Sequence, residues 1–334
     1  MIISRTPLRV SFMGGGSDLP VYYRRFGGAV ISSSINMFVY ITVNRKFDDR
    51  LRVSYSRTEM VDCAGQLEHP IVRAILKRAG IGGGLEITSI ADIPSSGSGL
   101  GSSSAFTVGL LNAINAYSGI FSGRKELAEA ACEVEIDDLH EPIGKQDQFA
   151  CALGGFNCIR FNPDDTVDIQ PFTHMRSALA RLESSLLMFY LGHRDVASAV
   201  LNRQRENLEA DKTSQNTMRR MVELAEVMRD ELEANNIESF GEILHESWML
   251  KCTMAKGITN GEIDDIYRRA RNAGAVGGKV LGAGGGGFFL VTAAPERHAR
   301  IIAALRDLRP IDFRFESLGS TIVFSEINYR NRQP

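Results

Sequence analysis

Pro94-Ser-Ser-Gly-Ser-Gly-Leu-Gly-Ser-Ser-Ser-Ala105 is the stretch on which the reading of this chain turns. Gly97, Gly99 and Gly101 let the backbone fold tightly and present bare N–H groups, because no Cβ stands in the way. Beyond Ser104 the apolar residues fall at helical spacing, through Ala105, Val108, Leu111 and Ile114. A glycine turn feeding a helix N-terminus offers unpaired donors and the positive end of the helix dipole, which suits a phosphate. Ser102, Ser103 and Ser104 add hydroxyls able to cap the helix or to reach a phosphate-bound Mg²⁺. Spacing alone also fits a Gly/Ser loop that caps an ordinary helix, so the stretch must be weighed with the rest of the chain.

Composition sets the bounds. With 334 residues, 44% of them hydrophobic and 23% charged, the chain has room for two lobes, each with its own core. A formal net charge of −2 gives no electrostatic footprint for nucleic acid or an anionic membrane. Any phosphate recognition must therefore be local. The five cysteines are scattered, with no C-x-x-C pair, as expected of reduced thiols in a cytoplasmic protein. No basic-then-apolar leader is visible and no apolar run reaches about 18 residues, so neither a signal peptide nor a membrane span is expected.

Strand patterns dominate up to about Ile90, at Val39–Val43, Leu51–Ser54 and Leu85–Thr88, with a helix predicted near Ile71–Ala79. Two helices are predicted between 102 and about 150, the second from Arg124 to Leu139. Short strands return at 152–172 and at Leu186–Tyr190, and the region from about 195 to 275 reads as helical. There Met221, Leu224, Ala225, Met228 and Leu232 mark one apolar stripe, and Leu244 with Trp248 another. Strands at Phe288–Val291 and Thr321–Ser325 flank a helix predicted over Pro295–Leu308. This order implies an α+β fold of two lobes without repeats.

Lys279-Val-Leu-Gly-Ala-Gly-Gly-Gly-Gly287 formally contains G-x-G-x-x-G, but a strand follows it where a dinucleotide site needs a helix. A nicotinamide oxidoreductase is thereby disfavoured, and no G-x-x-x-x-G-K-[ST] is present. Two readings of this cluster stand: a hairpin packed closely on another loop, or a ligand contact. The N-terminal stretch Arg5-Thr-Pro-Leu-Arg-Val-Ser-Phe-Met-Gly-Gly-Gly-Ser-Asp18 runs as a strand into a glycine turn ending in a carboxylate. Asp18 suits a polyol or a turn cap, and Arg9 suits a transferring phosphoryl group. Glu135 near a helix end and Asp147 after a Pro/Gly turn form a carboxylate pair of the kind that phosphoryl transfer to an alcohol uses. A solvated acidic helix end is the plainer reading of the same residues.

Taken in order, Thr6 to Gly14, Pro94 to Ala105 and Lys279 to Gly287 resemble the three motifs of the GHMP kinases, the family of galactokinase, homoserine kinase and mevalonate kinase. Gly14-Gly-Gly-Ser-Asp-Leu-Pro20, Gly144-Lys-Gln-Asp-Gln148 and Gly154-Gly-Phe-Asn157 look, within that family, like the bacterial D-glycero-D-manno-heptose 7-phosphate kinases. The resemblance implies an N-terminal ATP-binding lobe over 1–185, with a mixed sheet and helices. It also implies a C-terminal lobe over 186–334, with helices packed on an antiparallel sheet. The implied reaction is ATP- and Mg²⁺-dependent phosphorylation of the anomeric hydroxyl of a heptose 7-phosphate, on the way to GDP-heptose and surface polysaccharide.

Carried over by residue, Pro94, Gly97, Ser98, Gly99, Leu100, Gly101, Ser102, Ser103 and Ser104 hold the nucleotide. Ser103 and Glu135 hold Mg²⁺, Arg9 and Asp147 are catalytic, and Asp18 with Gly16 and Ser17 holds the sugar. Gly284 and Gly285 are implied at the substrate side, and Lys145 and Arg194 are candidates for the substrate's own phosphate. The G-E-H-T-D of galactokinases is here Gly14-Gly-Gly-Ser-Asp18, which argues against plain galactose. A fucokinase or galactokinase-like enzyme of an unphosphorylated sugar is the alternative, and a ligand sensor without catalysis is a more distant one. A monomer or homodimer is expected.

Overall fold

Strand β1 (Ile2–Met13) lies between β2 (Gly28–Arg45) and the last strand, β12 (Thr321–Ser325), antiparallel to both. It is buried at nearly every position, so both of its faces are covered and the alternation expected of a half-exposed strand is lost. These strands belong to a computed structural model that describes residues 1–93, 97–192 and 197–326. The 18-residue β2 is shared: Val39–Arg45 pairs with β5 (Leu85–Ala91) and Gly28–Ser33 with β6 (Phe156–Phe161). Beyond β5 come β3 (Leu51–Ser54) and β4 (Thr58–Val61), and beyond β6 comes β7 (Val167–Pro171). Among the described residues only β3 and β5 run parallel, which makes this first sheet mixed. The second sheet is wholly antiparallel, in the order β11 (Arg309–Ile311), β8 (Leu186–Gly192), β10 (Gly287–Thr292), β9 (Gly277–Val280). The α+β class is as expected.

Helices α1 (Pro20–Phe26), α2 (Pro70–Arg78), α3 (Ser102–Tyr117), α4 (Arg124–Cys132), α5 (Gln146–Leu153) and α6 (Arg176–Ser184) accompany the first sheet in sequence. The second half carries α7 (Ala197–Ala210), α8 (Lys212–Glu233), α9 (Phe240–Met254), α10 (Gly261–Ala273) and α11 (His298–Ala304). α3 and α5 pack on β1 and β2, whereas α9 packs on β9. Asp211 caps α8 by accepting from Thr213 and Ser214 N–H, and its Met218, Met221, Leu224, Met228 and Leu232 are buried, as core packing requires. Two apolar cores result: one under the first sheet, the other joining α7, α9, α10 and the second sheet to Leu19 and Tyr22 at α1.

Three expectations are revised. The helix predicted over Arg124–Leu139 is α-helical only to Cys132 and continues as a π-helical turn, Glu133–Asp138. The break at Pro142-Ile-Gly144 lets a third helix, α5, start at Gln146. The end of the chain does not stay with the second lobe, because β12 crosses back to pair with β1.

Candidate active site

The glycine turn is built as its residues demand. Gly97, Gly99 and Gly101 all have positive φ (+67°, +73° and +76°), which only glycine adopts cheaply. Gly101 is the N-cap of α3 and offers no side-chain cap of its own. The turn is tied to β1 by Arg9 N–H donating to Leu100 O at 3.0 Å, and internally by Leu100 N–H to Ser98 Oγ at 3.2 Å. The second glycine cluster is a β9–β10 hairpin lying directly on this turn. A Cβ on Gly99 would drive into the carbonyl oxygen of Leu281, and one on Gly282 would sit 2.5 Å from Gly99 Cα. Two backbones meet here with no room for a side chain.

Glu135, on the π-helical turn, is 1% exposed and receives four donors. Ser103 Oγ (3.0 Å) and Thr107 Oγ1 (3.0 Å) donate to Oε1, and Ser104 Oγ (2.8 Å) and Gln148 Nε2 (2.6 Å) donate to Oε2. Burial pushes its carboxyl up from the ordinary value, against the pull of those four bonds. Thr107 and Gln148 are partners that motif reading missed. Thr107 lies one helical turn past Ser103, and Gln148 is the residue after Asp147.

Asp147 opens α5 and is clamped by Arg9 in a fork, Nε to Oδ1 at 2.7 Å and Nη2 to Oδ2 at 2.8 Å. Arg9 Nη1 donates to Gly99 O at 2.7 Å, so one guanidinium joins the carboxylate to the glycine turn. Asp18 stands behind them, buried. Its Oδ1 accepts from Gly16 N–H (2.9 Å) and Gln146 Nε2 (3.0 Å), and its Oδ2 accepts from Gln146 N–H (3.2 Å). Burial and then the neighbouring Asp147 push the Asp18 carboxyl up. Gly144 is required here, because a Cβ would collide with Asp18 Oδ2.

These groups line one cleft, whose other wall comes from the second lobe: Lys251 of α9, Lys279 of β9, and Gly282 and Ala283 of the hairpin. Lys251 is 6% exposed and Lys279 8% exposed, and among the described residues neither forms an ion pair. Lys251 Nζ donates to Gln204 Oε1 (2.7 Å) and Gly15 O (3.2 Å), and Lys279 Nζ donates to Ser11 O (2.8 Å) and Phe12 O (3.1 Å). Burial lowers Lys251 to about 8. Burial, with Lys251 and Arg9 nearby, lowers Lys279 to about 7. Neither lysine was assigned a role from sequence. The signal was there for Lys251, which continues the apolar stripe Leu244, Trp248 at the next helical position.

Comparison with known proteins identifies the family. The family description "GHMP kinases N terminal domain" matches residues 69–155, and "GHMP kinases C terminal" matches 228–308. This chain belongs to the GHMP kinase family. It is an ATP-dependent kinase. A D-glycero-alpha-D-manno-heptose 7-phosphate kinase of Campylobacter jejuni is 28% identical, over 95% of this chain and 97% of that protein. A solved D-glycero-D-manno-heptose 1-phosphate kinase of Bacteroides thetaiotaomicron superposes with a TM-score of 0.81 at 26% identity, covering 98% of this chain and all of that one. A bifunctional fucokinase/GDP-fucose pyrophosphorylase of Arabidopsis thaliana is 24% identical over 88% of this chain, but only 30% of that protein.

Several residues expected at this GHMP kinase site lie elsewhere. Ser17 Oγ donates to Ala29 O and accepts from Ala29 N–H, both at 3.1 Å, so its hydroxyl ties the turn to β2 and is not free for sugar. Lys145 turns away from the cleft: its Nζ donates to Asp165 O at 3.2 Å and lies over the Tyr23 ring. That corrects its expected contact with a substrate phosphate. Gly285 N–H donates to Ile258 O at 2.9 Å and Gly284 backs on Ile258, so Gly282 and Ala283 face the cleft in their place. Pro94 and Arg194 lie outside the described residues.

On the other side of Ser102 and Ser103 a second cleft of about 320 Å³ opens among Val39, Tyr55, His69 and Phe106. His69 stacks on Phe106 with ring centroids 4.9 Å apart, and burial lowers its pKa. Flat apolar walls beside the glycine turn suit the base of a nucleotide. Among the described residues no helix is long and apolar enough to cross a membrane.

Proposed function

We propose that this GHMP kinase transfers the γ-phosphoryl group of ATP to the C1 hydroxyl of D-glycero-D-manno-heptose 7-phosphate, giving the 1,7-bisphosphate and ADP. The observation that carries the reading is the Arg9–Asp147 fork, tied to the glycine turn through Gly99 O and open to a cleft that holds two further buried cations. The triphosphate lies on the N–H groups of the 97–104 turn and the start of α3, with its base in the aromatic cleft. Asp147 accepts the proton of the C1 hydroxyl. The C1 oxygen forms the bond to Pγ as the bond from Pγ to the bridging oxygen breaks, and ADP leaves with that electron pair. An anomeric hydroxyl is more acidic than an ordinary alcohol, so holding it in line is the larger part of the task.

Arg9 fixes both oxygens of Asp147 and keeps two of its five N–H donors for charge that develops during transfer. Glu135 and Ser103 are the residues that would hold Mg²⁺. Both offer hard oxygen atoms, and a single carboxylate with a hydroxyl beside it suits an ion that takes its other ligands from phosphate and water. When bound, Mg²⁺ neutralises charge on the β- and γ-phosphoryl oxygens. The use of ATP as donor supports a cytoplasmic reaction.

A coupled ADP-release panel decides the substrate. Heptose 7-phosphate is expected to exceed free heptose, L-fucose and D-galactose in kcat/KM by at least about 100-fold. A free sugar equal to it or better overturns the assignment.

A further inference from the structure

The geometry points to Lys251 and Lys279, with the hydroxyl of Ser11 and the amide of Gln204, as the site that holds the acceptor's own phosphate, the one that is not transferred. The assignment rests on the sugar-phosphate reading above and adds to it the residues that read the phosphate.

The first observation is two buried ammonium groups without an ion pair. Each lysine is more than nine-tenths buried, yet each is held by neutral oxygen acceptors and by no carboxylate. An ammonium has three donors, and two of each are used, so each keeps one. Asp18 in the same cleft offsets Lys251 only through space, burying cations without an ion pair is costly, and a phosphate monoester, carrying about −1.5 to −2 at neutral pH, matches two of them.

The second observation is independent of the lysines. Ser11 Oγ and Gln204 Nε2 are buried polar atoms without a hydrogen-bond partner in the structure. Ser11 lines the cleft, and Gln204 Nε2 sits against Gly16 of the same wall while its Oε1 holds Lys251. Orphaned buried donors are rare unless a ligand completes them. Here both stand beside the unpaired ammonium groups.

The third is order along β1. Transfer needs C1 at Asp147, and Asp147 is fixed to Arg9. Arg9 and Ser11 are two residues apart and share a face of the strand, about 7 Å apart at its ordinary rise. The cleft thus runs from Arg9 past Ser11, where Lys279 docks, to Gly15, where Lys251 docks. A sugar with its anomeric end at Asp147 extends its far end towards these lysines. The donor's phosphates arrive from the opposite end, at the 97–104 turn, where Arg9 already serves.

The test compares kcat/KM for heptose 7-phosphate with that for free heptose in the wild type, Lys251→Met, Lys279→Met and Lys251→Arg. Each Met variant is expected to reduce the wild-type preference for the phosphorylated sugar at least tenfold, with Lys251→Arg keeping most of it. A ratio left intact, or an equal fall on both sugars, overturns the assignment while leaving the proposed substrate standing. A wild type without any preference overturns the substrate reading and this one together. Inorganic phosphate on the wild type needs no variant to fold: inhibition competitive with heptose 7-phosphate and not with ATP supports the site. Inhibition competitive with ATP alone, or none, counts against it.

Discussion

On the proposed reading, the donor and acceptor halves of the site would recognise phosphate by different physics. At the nucleotide half, the 97–104 turn, α3 and Glu135 work through backbone N–H groups and hydroxyls, with the one carboxylate wrapped in four neutral donors. At the acceptor half lie the Arg9–Asp147 ion pair, Asp18 and the buried ammonium groups of Lys251 and Lys279. The first is the neutral half apart from Glu135, and the second the charged half, where binding of a dianion would offset the desolvation of two ammonium groups that lack an ion pair.

The sharpest way to break this comparison is at the joint between the halves. Asp147→Asn is expected to lower kcat by about 1,000-fold while ATP binding, followed by calorimetry, stays within a few-fold. Unchanged turnover of the folded variant removes Asp147 from the chemistry. Gly99→Ala tests the neutral half, because it forces a Cβ into Leu281 O at a positive φ. A stability loss of about 2 kcal/mol or more is expected by urea unfolding, together with weakened ATP binding. Glu135→Gln should raise the Mg²⁺ concentration for half-maximal rate about tenfold. A superimposable Mg²⁺ titration would show that the ion is held elsewhere.

The charged half makes a prediction of opposite kind, about pH. In the folded chain Lys279 loses its proton near about 7, against 10.5 ordinarily. Below that range both folded and unfolded chains hold the proton, and the cost of the buried charge is present in full. Between the two values the unfolded chain binds more protons, so stability of the unliganded protein rises with pH. Unfolding between about pH 6.5 and 9 should show that rise, and Lys279→Met should reduce it, leaving the part that Lys251, lowered to about 8, contributes. Smallest of all is Lys145→Met. Its partner Asp165 is outside the cleft, so KM for the sugar phosphate should change less than about twofold. A tenfold rise in KM would return Lys145 to the acceptor site.

This contrast also explains what could be read in the chain beforehand. The neutral half is legible because backbone recognition demands glycine at set positions, and the Gly97, Gly99, Gly101 pattern with its trailing serines is that demand written out. The α+β order of elements was readable from periodicity for the same local reasons. The charged half depends on residues brought together from β1, α7, α9 and β9, and no local pattern says that Lys251 will face Gly15 and not solvent. Lys145 misled in the opposite sense. It lies two residues before Asp147 in sequence, but residues so spaced at a helix N-terminus point apart, and Tyr23 and Asp165 hold it on the far side. The π-helical turn at Glu133–Asp138 was equally unreadable, since it differs from an α-helix by one residue per turn.

The crossing of β12 back to β1 bears on how the protein is made. Thr6 and Ser320 share a hydroxyl contact at 2.8 Å, and Ile2 to Arg5 pair with Thr321 to Ser325. While the ribosome is still translating, the strand that carries Arg9 has one border unzipped, and it stays so until residues 321–325 have emerged. Closure of that seam is therefore a late, long-range event, slow by nature and exposed to mispairing with other nascent chains until it happens.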